Sequence, residues 1–229
     1  MKALQPDQLD IIYEDNHLIV VNKPCGILVQ GDSTRDTPLS ETIKGYIKIK
    51  YNKPGNVYLG VVHRLDRPTS GVIVFAKTSK ALTRLNNQFK EKATKKTYWA
   101  MVSSKPPNVE DHLIHYLVRN PKQNKSYAHI KEVPKSKQGI LSYKLLKSFT
   151  NYHLLEIELE TGRHHQIRAQ LAAIGCTIKG DLKYGAKRSN PDGGIHLHAR
   201  KLSLIHPTTK EDLSFEASLP KDKLWNLVL

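Results

Sequence analysis

One carboxylate stands among cations in the stretch His63-Arg64-Leu65-Asp66-Arg67-Pro68-Thr69-Ser70-Gly71. Arg64 and Arg67 place guanidinium groups on both sides of Asp66, a setting that keeps a carboxylate ionised. The stretch reads as a turn running into the apolar segment Gly71-Val72-Ile73-Val74-Phe75-Ala76, so the carboxylate would stand at a sheet edge within reach of a substrate. The same residues also suit a structural turn whose Asp accepts backbone hydrogen bonds, completed by Pro68, Thr69, Ser70 and Gly71. Residue types alone leave both readings open.

A second constellation is Thr161-Gly162-Arg163-His164-His165-Gln166-Ile167-Arg168, at the end of a strand and the start of a helix. Arg163, His165 and Arg168 bring positive charge to a helix N-terminus that is already positive, which a polyanion or a carboxylate would relieve. A solvated basic surface is the plainer alternative. The third is Lys95-Lys96-Thr97-Tyr98-Trp99-Ala100. Aromatic rings beside lysines suit base stacking fed by phosphate contacts. Strand alternation puts Trp99 on the face opposite Tyr98, where it reads as an ordinary core residue. Eleven histidines raise the question of a metal. His112 with His115, His164 with His165 and His196 with His198 all lack carboxylate or thiolate partners at a ligand spacing. No glycine-rich nucleotide loop is present.

Charge gives these clusters a common theme. Lys and Arg total 36 against 21 Asp and Glu, a net charge of +15 over 229 residues. That excess is the electrostatic footprint of a nucleic-acid binder. The mixed, 39% hydrophobic composition reads as globular. Two cysteines, Cys25 and Cys176, make no disulfide framework and suit a reducing compartment. The N-terminal residues lack the apolar core of a signal peptide, and the longest apolar run is far too short to span a bilayer. A cytoplasmic protein is expected.

The elements that must position these residues follow from periodicity. Residues 11–23 read as a hairpin turning at Glu14-Asp15-Asn16. Thr37 and Pro38 suggest the cap and first position of a helix with Leu39, Ile43, Tyr46 and Ile47 on one face. Strands are predicted at 58–63 and 71–77, and a helix capped by Ser79 with Leu82, Leu85 and Phe89 inward. Lys95 to Val102 reads as a strand, and 104–126 as irregular and mobile. Two long strands follow; in the second, Leu155, Ile157 and Leu159 alternate with glutamates. A helix from His164 to Ile174, with Ile167, Leu171 and Ile174 inward, ends at Gly175 in the left-handed C′ position. Ile195, Leu197 and Ala199 alternate in another strand, and a short strand at 212–217 and a short helix finish the chain. The order predicts an α+β fold, a large mixed, mainly antiparallel sheet with a few flanking helices, as one domain over 1–229.

Taken together and in this order, the motifs resemble the RluA-type family of RNA pseudouridine synthases. The matching pieces are Ile19-Val20-Val21-Asn22-Lys23-Pro24 with Gly26, the Asp66 stretch, Lys96-Thr97-Tyr98 and Thr161 to Arg168. They continue with Ile178-Lys179-Gly180-Asp181, Tyr184-Gly185, Leu197-His198-Ala199 and His206-Pro207. The resemblance implies the pseudouridine synthase catalytic fold and an isomerase that needs neither cofactor nor metal. It implies that Asp66 attacks the target uridine, at the ribose C1′ or at the ring, so that the base detaches, rotates and rejoins through C5. Arg168 would pair with Asp66 and orient it, and Tyr98 would stack on the base near the C5 proton. Arg64 would fill the space left by the flipped nucleotide, and Leu197 would pack against the pocket. His63, Arg67, Lys96, Arg163 and His165 complete the expected RNA-binding set. A uridine inside a helix is beyond the reach of a short Asp side chain, so flipping is required.

Two features depart from the family pattern. Arg67-Pro68 follows the aspartate where many members carry Lys or another residue and no proline. There is also no room before residue 10 for the S4-type RNA-binding domain of many relatives, so substrate choice would rest on the catalytic domain and the basic 119–137 segment. The reading is a synthase acting on ribosomal RNA, tRNA or both, as a monomer without membrane or obligate protein partner. A noncatalytic RNA binder on the same fold and a metal-dependent phosphodiesterase are the alternatives. The intact set Asp66, Tyr98 and Arg168 weighs against the first, and the missing ligand cluster against the second.

Overall fold

The computed structural model describes residues 4–228. In chain order its elements are β1 (Ile11–Glu14), β2 (Leu18–Lys23), α1 (Leu39–Lys50), β3 (Gly60–Val61), β4 (Ser70–Ala76), α2 (Ser79–Lys90) and β5 (Lys95–Val102). They continue with β6 (Glu110–Asn120), β7 (Lys125–His129), β8 (Lys137–Ser148), β9 (His153–Leu159), α3 (Gln166–Ala173), β10 (Leu197–Ile205) and β11 (Asp212–Glu216). Single 3-10 turns occur at Pro6–Gln8, Leu182–Tyr184 and Trp225–Leu227. The chain divides into two compact units, one running to Thr94 and resuming at Ala199, the other spanning Lys95–His198.

In the first unit the strand order is β1-β2-β4-β10, with β3 on β4 and β11 on β10. The β1–β2 hairpin forms where the sequence places it, its turn held by the Asp15 carboxylate, which accepts the His17 and Leu18 amides at 2.7 and 2.6 Å. Every residue of β4 is buried, as are Leu18 to Val21 of β2, which explains the unbroken apolar runs of both strands. Their antiparallel register runs from Leu18 opposite Ala76 to Lys23 opposite Gly71. Leu39, Ile43 and Ile47 bury the expected face of α1. The cap differs from expectation. Pro38, not Thr37, is the N-cap and makes no side-chain bond. The Leu39 and Ser40 amides donate instead to the Leu28 and Val29 carbonyls, at 2.7 and 3.2 Å, so backbone replaces a capping hydroxyl. Helix α2 is capped by Thr78, one residue before the expected Ser79; its Oγ1 accepts the Ala81 amide at 3.1 Å. The strand expected at 58–63 contracts to Gly60–Val61.

In the second unit the order is β5-β9-β8-β6-β7, antiparallel throughout. Strand β5 matches its predicted bounds, and Tyr98 pairs with Ile157, which pairs with Tyr143. The segment expected to be irregular, 104–126, is instead mostly the eleven-residue β6 and the start of β7. The inward face of β6 is Leu113, His115 and Leu117. A polar His115 at the centre of that face hides the alternation, and the cost of burying it is offset by Gln170, whose Nε2 lies 3.1 Å from Nδ1. Helix α3 is shorter than predicted at both ends. Ile167 and Leu171 are buried as expected, while Ile174 is only half-buried. Gly175 takes φ +79° and closes the helix: its amide donates to Ala172 at 3.1 Å and that of Cys176 to Leu171 at 2.9 Å. Ala169 and Ala172 of α3 pack against Leu117, Ala128 and Tyr184.

Later differences are of extent: β10 starts at Leu197 and runs to Ile205, and the terminal helix is the 3-10 turn at Trp225. The class is the predicted one, α+β with a large, mainly antiparallel sheet and three α-helices among the described residues. No helix among them is long and apolar enough to cross a membrane.

Candidate active site

Asp66 opens the tight turn that precedes β4. The Thr69 amide donates to the Asp66 carbonyl at 3.0 Å, with Arg67 and Pro68 at the bend. Proline suits the bend because no amide is required of it there. The turn is tied to the loop after β2 from two directions. The Gly26 amide donates to the Arg67 carbonyl at 2.8 Å, and Arg67 Nε returns a bond to the Gly26 carbonyl at 2.9 Å. Arg67 also pairs through Nη2 with Asp36 Oδ2 at 2.7 Å.

Below the turn lies Lys23, fully buried at the end of β2. Its ammonium donates to three carbonyls, Pro24 at 2.9 Å, Ile27 at 2.8 Å and Arg67 at 3.2 Å. Burial pulls its pKa down to about 7, partly opposed by the neighbouring Cys25 and Asp66. A buried cation bonded to the Arg67 carbonyl of the Asp66 turn was not singled out by sequence. The signal for it is faint, a lysine that keeps the inward parity of Val21 in β2.

The other residues expected on this stretch divide. Arg64 is exposed. His63 is built into the fold: its Nε2 accepts the Val74 amide at 3.2 Å, and its ring stacks on Phe89 of α2 with centroids 4.9 Å apart.

In the second unit the loop before α3 is stitched by Gln166. Its Oε1 accepts the Thr161 hydroxyl at 2.8 Å and the Arg163 amide at 3.0 Å, and its Nε2 donates to the Ile140 carbonyl at 3.0 Å. His165 caps the helix in the left-handed region, φ +53°, a conformation uncommon outside glycine. It is buried, stacks on His164 with centroids 3.8 Å apart, and places Nδ1 3.0 Å from the Tyr184 hydroxyl. Arg163 is exposed, with Nε donating to the Gln138 carbonyl at 2.9 Å.

Arg168 points inward from the first turn of α3 and is only 5% exposed. Its Nε and Nη2 donate to the two carboxylate oxygens of Asp181, at 2.7 and 2.8 Å, and its Cζ lies 5.1 Å from the centre of the Tyr184 ring. Asp181 and Tyr184 belong to the Gly180-Asp181 and Tyr184-Gly185 pieces of the sequence, to which no role was assigned. Tyr98 is buried on β5 with Lys96 on the same face, half-buried; Leu197 is buried at the start of β10. Trp99, on the opposite face, donates its indole N–H to Glu156 at 3.1 Å. Among the described residues no three His, Cys, Asp or Glu side chains gather as a metal-ligand set.

A family model for RNA pseudouridylate synthase matches residues 17–173, which include the Asp66, Tyr98 and Arg168 motifs. The chain belongs to the RNA pseudouridine synthase family. These enzymes are isomerases acting on RNA, and the +15 charge fits such a substrate. Ribosomal large subunit pseudouridine synthase D of Zymomonas mobilis is 32% identical over 224 residues, 93% of this chain and 70% of that protein. Ribosomal large subunit pseudouridine synthase C of Buchnera aphidicola is 34% identical over 227 residues, 96% of this chain and 69% of the relative. An uncharacterized RNA pseudouridine synthase of Synechocystis is 34% identical over 216 residues, and the chain spans 66% of its length. The fold matches that of human RNA pseudouridylate synthase domain containing 4 with a TM-score of 0.81 at 24% identity, covering 96% of this chain and 92% of that one.

Proposed function

We propose that this synthase converts uridine to pseudouridine in large-subunit ribosomal RNA, with Asp66 as nucleophile. The observation that carries the role of Asp66 is the construction beneath it. A closed turn, a buried Lys23 holding three carbonyls and a two-way Arg67–Gly26 tie fix the backbone that presents one carboxylate. Preorganisation of this kind removes reorganisation cost from the reacting step. The choice of ribosomal RNA rests on the named relatives, two of which carry that substrate in their names.

In the proposed reaction the Asp66 carboxylate forms a bond to the flipped uridine, at C1′ or at the ring. The N1–C1′ bond breaks with its electron pair on the base. The base turns, C5 bonds to C1′, the C5 proton leaves, N1 takes up a proton and the carboxylate is released. Arg168 would orient Asp66, and Tyr98 would stack on the base, where base–aromatic stacking is worth roughly 1–3 kcal/mol against the cost of flipping. Exposed Arg64 and Arg163, with Lys96, would meet phosphates. His165 and Leu197 are buried, so their part is to shape the site rather than to grip the RNA backbone. A reducing, cytoplasmic setting is part of the proposal, supported by the free thiols of Cys25 and Cys176.

The test is release of tritium from RNA labelled at uridine C5, taken from cells lacking this protein. Wild-type enzyme should release tritium from large-subunit ribosomal RNA, and Asp66→Asn should release none while unfolding at the wild-type midpoint. Turnover by Asp66→Asn would reject the nucleophile. Release from a tRNA pool alone would reject the substrate.

A further inference from the structure

Arg168 is held more tightly than a cation at a helix start requires. A guanidinium is a rigid planar fork, and a carboxylate that takes two parallel N–H bonds fixes its plane. Asp181 does this from an almost fully buried position, 1% exposed. Its backbone is fixed in turn: its amide donates to Ile178 at 3.1 Å, and its carbonyl accepts the amides of Tyr184 and Ala186, both at 3.0 Å. The preceding Gly180, at φ +87°, lies where a side chain would strike Asn190. Tyr184, from the same turn, covers Arg168 with its ring and is itself anchored. Its hydroxyl accepts the Ser126 amide at 2.9 Å and donates to the Ser126 carbonyl at 3.0 Å.

A buried ion pair is a poor way to gain stability. Apolar residues of similar volume are often as good or better. The value of this pair lies in direction. With the Nε–Nη2 edge committed to Asp181, planarity also fixes where the Nη1 hydrogens point.

We propose that Asp181 is a positioning residue for the isomerisation, acting only through Arg168 by setting the plane and heading of its guanidinium. The proposal rests on the reading of Arg168 as the cation that orients Asp66. Tyr184 supports the same setting from the ring face.

The test measures kcat and KM by tritium release from large-subunit ribosomal RNA labelled at uridine C5, or from the tRNA pool if that is the one wild-type enzyme uses. The variants are Asp181→Asn, Asp181→Glu, Arg168→Ala and the double variant Arg168→Ala/Asp181→Asn, each checked by thermal unfolding. Asp181→Asn keeps the shape but loses the second acceptor, and its kcat should fall at least tenfold with KM within twofold of wild type. Asp181→Glu keeps the charge and shifts the carboxylate by one methylene; it covers the case in which Asp181→Asn fails to fold, and should also lose kcat. The double variant should be no slower than Arg168→Ala. Normal kcat in a folded Asp181 variant, or losses that multiply in the double variant, would overturn the proposal while leaving the role of Arg168 standing. Near-normal kcat in Arg168→Ala would instead reject the role of Arg168 and the proposal with it.

Discussion

Gly71 lies directly against the backbone of Ala199: a Cβ at residue 71 would overlap the carbonyl and amide atoms of Ala199. Gly71 also has φ +117°, a conformation that L side chains rarely adopt. The last residue of the Asp66 stretch is therefore fixed by the approach of β10 to β4, independently of chemistry. Gly71→Ala should destabilise by about 3 kcal/mol or more, combining backbone strain with overpacking. Urea denaturation followed by far-UV circular dichroism checks this, and a midpoint within error of wild type would contradict the close approach.

Lys23 gives a prediction in pH. Its folded pKa of about 7 lies below its ordinary value of 10.5 because burial disfavours the ammonium. Below pH 7 both folded and unfolded chains hold the proton and the burial penalty is constant. Between 7 and 10.5 the unfolded chain binds more protons, so stability rises with pH. Wild-type protein should gain about 2 kcal/mol from pH 7 to 9 relative to Lys23→Met. At pH 7 the variant should be less stable by about 1–3 kcal/mol, because three buried carbonyls lose their donor. Its kcat should fall, since Lys23 holds the turn that presents Asp66. Chemical denaturation at pH 7, 8 and 9 measures the first two effects and tritium release the third.

Lys23 also shows what the sequence could and could not reveal. Motifs built on local spacing were legible: the Asp66 turn, the β5 strand around Tyr98, and Gly175 ending α3. Charge partners set by tertiary folding were not. Asp181 lies thirteen residues after Arg168 and meets it only because the 3-10 turn folds back on α3. His115 broke the apolar alternation of β6, so a long strand read as irregular chain. The α1 cap shifted by a residue because the Leu28 and Val29 carbonyls do for that helix what a hydroxyl would otherwise do. His63 enters the expected RNA-binding set through its place in the Asp66 motif; that its Nε2 accepts the Val74 amide and its ring stacks on Phe89 is set by tertiary folding and has no local signal.

Glu14, at the end of β1, predicts the acid limb of stability. Burial pushes its carboxyl up, but hydrogen bonds from Lys50, Lys77, Tyr51 and Tyr46 outweigh this and hold it at about 2. The folded pKa is thus depressed from 4.5. Its contribution is fully present above 4.5 and is lost as pH falls toward 2. The side chain is 6% exposed, so solvent screening is slight. Glu14→Gln should cost about 3 kcal/mol at pH 7 and make stability less dependent on pH between 4.5 and 2. Thermal unfolding across pH 2.5–7 compares the slopes, and parallel curves would show that Glu14 does not carry this linkage.

The cationic surface has a measurable consequence in salt. Arg64 is exposed and Lys96 half-buried on the same face of β5 as Tyr98, whereas the Arg67 guanidinium pairs with Asp36 and that of Arg168 with Asp181. If Arg64 and Lys96 meet phosphates, RNA affinity should fall steeply with salt, because each phosphate neutralised releases counterion. Arg64→Ala and Lys96→Ala should each weaken binding and reduce the slope of log K against log salt by about 1. Arg67→Ala should leave that slope nearly unchanged and lower stability instead, since its guanidinium ties the Gly26 loop to the Asp66 turn. Filter binding with the Asp66→Asn enzyme from 50 to 300 mM salt, roughly the range over which such slopes are resolved, separates the two classes. An unchanged slope in both Arg64→Ala and Lys96→Ala would place the phosphate contacts elsewhere on the basic surface, with Arg119, Lys122 and Lys125 of the β6–β7 hairpin the next to be changed.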